Sequence, residues 1–163
     1  MIAPEEFRDL MAGIPSPVTV ITTWDDGPAG TTIGAFISLS MDPPLVLASL
    51  ISSTSMLDRV KRTGRFGVNL LSEQQSRLAR QFSSRHGDRF TDVDWTLDNG
   101  LPRIADTAAW IECSLEAELP GGDHTMIIGR IISAQISSAE PMVYCRRSFG
   151  GHIVTPTPVW DAA

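Results

Sequence analysis

The stretch Gly30-Thr-Thr-Ile-Gly-Ala-Phe-Ile-Ser-Leu-Ser-Met-Asp-Pro-Pro-Leu-Val-Leu-Ala-Ser-Leu50 constrains the fold more than any other. It reads as two strands joined by a turn. The first, about Thr31 to Ser38, is rich in β-formers but carries Gly34 and Ala35 at its middle. Small residues there thin the wall and let a flat ligand approach the backbone. Asp42-Pro43-Pro44 makes the turn, because neither proline can donate a ladder hydrogen bond. Leu45 to Leu50 is a short, continuously apolar run, as expected of a strand buried on both faces. Hydroxyls at Thr31, Thr32, Ser38, Ser40, Ser49, Ser52, Ser53, Thr54 and Ser55 follow the hairpin. From composition alone these are ordinary β-formers and turn residues.

The remaining chain predicts short elements in an antiparallel order. Glu5 to Ala12 places Phe7, Leu10 and Met11 at helical spacing behind Pro4. Val18 to Thr23 is a β-branched strand, and Asp26-Gly27 is a strong hairpin turn signal. Ser52 to Ser55 enter a helix from Met56 to Thr63, which Gly64 ends. Such an entry, with unpaired N–H groups and a positive dipole end, suits a phosphate. Arg65 to Leu71 is a strand, and Glu73 to about Phe82 a helix capped by Ser72. Residues 92–106 read as irregular, with turns at Asn99-Gly100 and Pro102. From Trp110 to Leu119, Ile111, Cys113, Leu115, Ala117 and Leu119 alternate with Glu112, Ser114, Glu116 and Glu118. That predicts a strand with its acidic face in solvent. His124 to Ile136 and Pro141 to Cys145 are further strands.

No βαβ rhythm, repeat or domain boundary interrupts this order. The expected fold is mostly β with a few short helices, an antiparallel split β-barrel of Greek-key type. One domain is expected over residues 1–163, with a core of about 7–150 and a tail of 151–163.

Charge is unevenly placed. The chain carries a net −6, yet between Asp58 and Arg89 the local balance is +5, which leaves −11 elsewhere. The total argues against a nucleic-acid partner. The basic centre suits either a solvated helix face or one local site for a small phosphorylated ligand. Cys113 and Cys145 lie far apart in apolar segments, as buried free thiols of a reducing compartment do. No run approaches the roughly 18 apolar residues of a membrane span. The N-terminus lacks the pattern of a secretion signal, so a cytoplasmic location is expected. His86, His124 and His152 have no metal-ligand spacing, and no metal is expected. Glycine-rich nucleotide loops and a nucleophile elbow are also missing, so the chemistry points to a bound cofactor.

Six segments in order carry a resemblance: Pro17 to Thr23, Gly30 to Pro44, Phe66-Gly-Val-Asn69, Gln75 to Phe82, Asp88-Arg-Phe90 and Gly122-Asp-His-Thr125. With them the chain resembles the flavin reductase family, the split-barrel reductases that supply reduced flavin to two-component monooxygenases. The resemblance implies a homodimer, FMN or FAD at the barrel wall, NADH or NADPH as electron donor, and a flavin-dependent monooxygenase as partner. It places Thr31, Thr32, Ile33, Gly34 and Ala35 along the ribityl chain and ring edge, continued by Ser38, Leu39 and Ser40. Ser49, Ser52, Ser53, Thr54 and Ser55 would hold ribityl and phosphate oxygens, with Ser83, Arg85 and Arg89 completing the anion site. His124 would be the catalytic residue, contacting and orienting the nicotinamide. Tyr144, Arg147 and Phe149 would close over the second nucleotide. Gly34 stands where the family usually has serine, and Pro17 where glycine is common. Two other readings stay open: an oxidase holding FMN tightly, of the pyridoxamine-phosphate oxidase type, and a non-enzymatic flavin- or haem-binding barrel.

Overall fold

The computed structural model describes residues 1–84 and 86–152. In chain order the elements are α1 (Pro4–Ala12), β1 (Ser16–Pro17), β2 (Thr19–Trp24), β3 (Pro28–Ile33), β4 (Phe36–Ser40) and β5 (Leu45–Ile51). Then come α2 (Ser55–Thr63), β6 (Arg65–Leu70), a 3-10 turn (Glu73–Gln75), α3 (Ser76–Ser83), β7 (Trp95–Asp98) and β8 (Leu101–Ile104). β9 (Ala109–Gly121), β10 (His124–Ile136), β11 (Val143–Cys145) and β12 (Ser148–Gly150) complete the described chain.

Seven strands form one antiparallel sheet in the order β3-β2-β6-β9-β10-β5-β4. Its first and last members, β3 and β4, are neighbours in the chain, separated only by Gly34 and Ala35. The sheet therefore curls until its two ends meet. The Ser49 N–H donates to the Ala35 carbonyl at 3.0 Å, which carries the β4–β5 ladder into the break between the two ends. This is the expected split barrel, and it corrects one detail. The expected single strand from Thr31 to Ser38 is two strands, with the break at Gly34-Ala35 forming the seam.

The barrel interior holds Ile21, Val46, Ala48, Leu50, Phe66, Val68, Cys113 and Ile127. α2 adds Met56, Leu57 and Val60 to this core. Burial pushes the Cys113 thiol up to about 12. A second cluster lies outside the wall, where α3 packs Leu78, Ala79 and Phe82 against Val18, Val20, Leu71, Phe90 and Met142. Burial on both faces is found in β2, not in β5 as its apolar run predicts. In β5 only Val46, Ala48 and Leu50 are buried, while Leu45, Leu47 and Ser49 on the other face stay partly exposed.

Three further expectations change. Residues 92–106 contain the hairpin β7–β8, turned at Asn99 (φ 49°) and Gly100 (φ 82°). Asn69 fastens that hairpin: its amide donates to the Val20 carbonyl, and its oxygen accepts the Ile104 N–H at 2.8 Å. The start of β9 is buried on both faces, with Trp110 and Glu112 2% and 4% exposed. Glu112 accepts from Asn99 at 2.9 Å, Arg65 at 2.5 Å and Ser133 at 3.1 Å. A further strand, β12, pairs with β11 beyond the last strand expected from sequence. Among the described residues no helix is long and apolar enough to cross a membrane, and no His/Cys/Asp/Glu cluster could hold a metal ion.

Candidate active site

Three clefts adjoin β3 and the break that follows it. The middle one, about 260 Å³, is lined by Thr31 to Ala35, Ser49, Leu50, Ile51, Thr54 and His124. A larger one, about 670 Å³, shares Thr32 to Ala35 and continues under α1, lined also by Phe7, Met11, Ser83, Tyr144, Arg147 and Phe149. The third, about 280 Å³, begins at Pro28 to Gly30 and includes Ser55, Arg59, Asp88 and Arg89. Seven steps of chain from Pro28 to Ala35 thus touch all three. At about 3.3 Å per residue that stretch is on the order of 20 Å long.

The strand break supplies the middle cleft with donors. Gly34 and Ala35 lie outside both ladders, and their carbonyls accept from Phe36 and Ser49. Among the described residues neither N–H has a protein acceptor. A Cβ on Gly34 would lie 3.0 Å from Ser16 Oγ, so the backbone runs close to β1 there.

The predicted hydroxyls divide by what they already bond. Thr32 donates to the Ala79 carbonyl at 2.8 Å, tying β3 to α3. Thr54 accepts from Met56 N–H as the α2 cap. Ser52 bonds Thr125 at 3.0 Å, and its N–H donates to the Asp123 carbonyl, stapling β5 to β10. Ser83 donates to the Arg80 carbonyl. The hydroxyls of Thr31, Ser49 and Ser55 line clefts and have no hydrogen bond among the described residues. Ser38, Leu39 and Ser40 sit on β4 and line none of these clefts, nor do Ser52 and Ser53. Arg85 lies outside the described residues.

His124 opens β10 opposite Ile51 and reaches the middle cleft. Its Nδ1 bonds Asp123 Oδ1 at 2.7 Å, which leaves Nε2 as the free ring nitrogen. That bond holds the Asp123 carboxyl below its usual range. The loop contact expected of an ordinary turn histidine is therefore present, and it orients the ring beside the cleft.

In the large cleft Tyr144 and Phe149 pack with centroids 5.7 Å apart, and Arg80 lies 5.8 Å from the Phe149 ring. Arg147 is paired with Asp9 on α1. The turn between β11 and β12 is Arg146-Arg147, both left-handed with φ 49° and 60°. Arg146 N–H also bonds the Ala12 carbonyl, so this turn holds α1 at the cleft rim.

Two contributors escaped the sequence reading. Arg59 looked like one more charge on a helix face. Phe7, Leu10 and Met11 gave only a helical spacing, yet α1 buries none of its residues, and Phe7 and Met11 line the large cleft.

A flavin asks for acceptor-matched donors at its ring edge, hydroxyls along a polyol and cations at a phosphate. Free N–H groups at Gly34 and Ala35, open hydroxyls at Thr31, Ser49 and Ser55, and guanidinium groups at Arg59 and Arg89 meet these needs in that spatial order. The residues present fit the group.

The flavin reductase-like domain family matches residues 11–152. The chain belongs to that family. It is 38% identical over 149 residues to a probable flavin reductase of Rhizobium meliloti (strain 1021), covering 90% of this chain and 48% of that protein. The chain therefore spans about half the length of that relative. It is 37% identical over 153 residues to the reductase subunit HsaB of a flavin-dependent monooxygenase from Rhodococcus jostii (strain RHA1), covering 92% and 78%. The Streptomyces globisporus NADH:FAD oxidoreductase SgcE6, solved with NAD and FAD fragments, superposes with a TM-score of 0.88 at 32% identity. That superposition covers 96% of this chain and 97% of the other.

Proposed function

We propose that this flavin reductase passes reducing equivalents from NADH to FMN or FAD and supplies the reduced flavin to a partner monooxygenase. The observation that carries the reading is the pair of unclaimed N–H groups at Gly34 and Ala35, on the wall shared by two clefts.

When bound, the isoalloxazine supplies the redox chemistry by accepting hydride from the reduced nicotinamide. The chain's own work is positional. Gly34 and Ala35 donate to the ring edge where negative charge collects on reduction, which favours the reduced state. Ser49 and Thr31 orient the polyol. His124, held by Asp123, sets the nicotinamide beside the middle cleft. Tyr144, Phe149 and Arg147 line the space for the rest of the dinucleotide. No side chain is required to move a proton in the hydride step.

The described clefts are open to solvent, which suits a flavin that enters and leaves as a substrate. Two copies of the chain would form the working unit. Ile37, Leu39 and Met41, on and just after edge strand β4, are exposed, as are Ile132 and Ile136 on β10. Such a patch suits a partner surface. One domain over the chain and a cytoplasmic location complete the reading, supported by free thiols at Cys113 and Cys145.

The test is NADH oxidation by the purified protein with FMN, FAD or riboflavin in excess, repeated with NADPH. Turnover faster with NADH supports the reading. An inert protein under every pairing overturns it. Yellow colour retained through gel filtration would argue against the exchangeable flavin.

A further inference from the structure

The third cleft contains a cation that the resemblance did not assign. Arg59 lies four residues after Ser55 on α2, so the two share a helix face and line the same cleft. Its Nη1 donates to the Asp25 carbonyl at 2.6 Å. Across the cleft, Arg89 Nη1 donates to the Gly30 carbonyl at 2.7 Å. Both guanidinium groups are thus moored by backbone carbonyls, one in the β2–β3 turn and one on β3.

Mooring to a carbonyl leaves the charge uncompensated. Arg77 also bonds a carbonyl, that of Asp92, but lines none of the three clefts, and the basic side chains nearest Arg59 are treated differently. Lys61 pairs with Glu118, Arg62 with Asp25 and Arg65 with Glu112. Among the described residues neither Arg59 nor Arg89 pairs with a carboxylate. The one acid lining the cleft is Asp88, and its two oxygens accept the Phe90 N–H at 2.9 Å and the Thr91 hydroxyl at 3.2 Å. Each guanidinium has five N–H donors, so most remain for a ligand. Two forks converging on a small cleft beside an open serine hydroxyl match a phosphoryl group.

We infer that Arg59 is a specificity residue for the flavin, binding its phosphate together with Arg89 and so separating FMN and FAD from riboflavin. This rests on the reductase reading above and adds to it a selectivity among flavins. Asp25 is the positioning residue: its carbonyl holds Arg59 while its carboxylate holds Arg62.

The experiment compares KM for FMN and riboflavin at saturating NADH in wild type, Arg59→Gln, Arg59→Lys and the control Arg62→Gln. Losing a charge-assisted bond to phosphate should raise KM for FMN about tenfold in R59Q and lower the riboflavin-to-FMN KM ratio by the same factor. R59K should recover part of that ratio, and R62Q should keep it at the wild-type value. Inorganic phosphate should compete with FMN but not with riboflavin in the wild type. That last measurement stands even if R59Q fails to fold. A wild-type ratio retained by folded R59Q, or a changed preference between NADH and NADPH instead, overturns the inference. So does phosphate that competes equally with both flavins. A wild type that reduces neither flavin defeats the reductase reading itself, a result distinct from all of these.

Discussion

Ser49, on β5, donates its N–H to the Ala35 carbonyl at 3.0 Å, the rung that carries the β4–β5 ladder into the break between the barrel's first and last strands. The same residue presents its hydroxyl to the middle cleft. The ladder at the seam and the cleft thus share one position but use different atoms. Ser49→Ala removes only the hydroxyl. It should leave the melting temperature near wild type and weaken flavin binding by about two- to tenfold, the loss of one ordinary hydrogen bond. Ser49→Pro removes the N–H as well and leaves the Ala35 carbonyl without its donor. It should cost on the order of 1–3 kcal/mol in addition. Thermal denaturation and flavin fluorescence titration separate the two. Equal destabilisation by both variants would show that the seam does not depend on this bond.

His124 is held through Nδ1 by Asp123, with Nε2 left free at the cleft. A residue that orients the nicotinamide by contact should tolerate an isosteric amide better than truncation. His124→Gln should keep most of kcat/KM for NADH, while His124→Ala should lose about tenfold, the worth of one well-placed polar contact. Flavin affinity should change little in either. Steady-state kinetics with varied NADH checks this. An equal and much larger loss in both variants, with a matching new pH dependence, would instead mark a proton-transferring group.

Much of the barrel was legible because its strands carry their own signals. β2 and β10 are β-branched runs bounded by turn residues, and Asp26-Gly27 turns the first hairpin with φ 55° and 124°. The division between β3 and β4 was not legible. Thr31 to Ser38 stays β-favourable throughout, and only closure of the sheet makes Gly34-Ala35 a break. Glu112 was misplaced for a similar reason. Alternation identifies two faces of a strand, but not that the β7–β8 hairpin folds over the charged one. At the site, Thr31 to Ala35, Ser49, Thr54 and His124 do share one cleft. Arg59 could not be told from Lys61 and Arg62, since only the folded chain shows which cations have acids beside them.

Glu112 makes the acid limb of stability predictable. Its carboxyl is held below the model value of 4.5 by the Asn99 bond first, then by Arg65 and Ser133, against the opposing effect of burial. A folded-state value below the unfolded one means stability that is fully present above the unfolded value and lost as pH falls through the folded one. Glu112→Gln should therefore destabilise at pH 7, on the order of 1–3 kcal/mol for a buried acceptor site left mismatched. The difference from wild type should shrink as pH drops from about 5 toward 3. Urea unfolding at several pH values measures it. A constant difference across that range would mean that the carboxylate contributes through packing alone.

The Arg146-Arg147 turn pits backbone comfort against site geometry. Two successive left-handed residues define the mirror-image two-residue turn that Asn-Gly fills most easily, and a side chain bulkier than Asn there costs about 1–2 kcal/mol per residue. The double substitution Arg146→Asn, Arg147→Gly should therefore raise the melting temperature. It also removes the Arg147–Asp9 pair, which is exposed on both sides and contributes little to stability. What that pair does is hold α1 beside the large cleft, where Tyr144 and Phe149 stand. The stabilised variant should then show a KM for NADH raised several-fold, with KM for flavin unchanged. Asp9→Asn alone should reproduce the kinetic effect without the gain in melting temperature. If the double variant gains stability and binds NADH as the wild type does, the strained arginines have no bearing on the dinucleotide, and α1 is only a neighbour of the cleft.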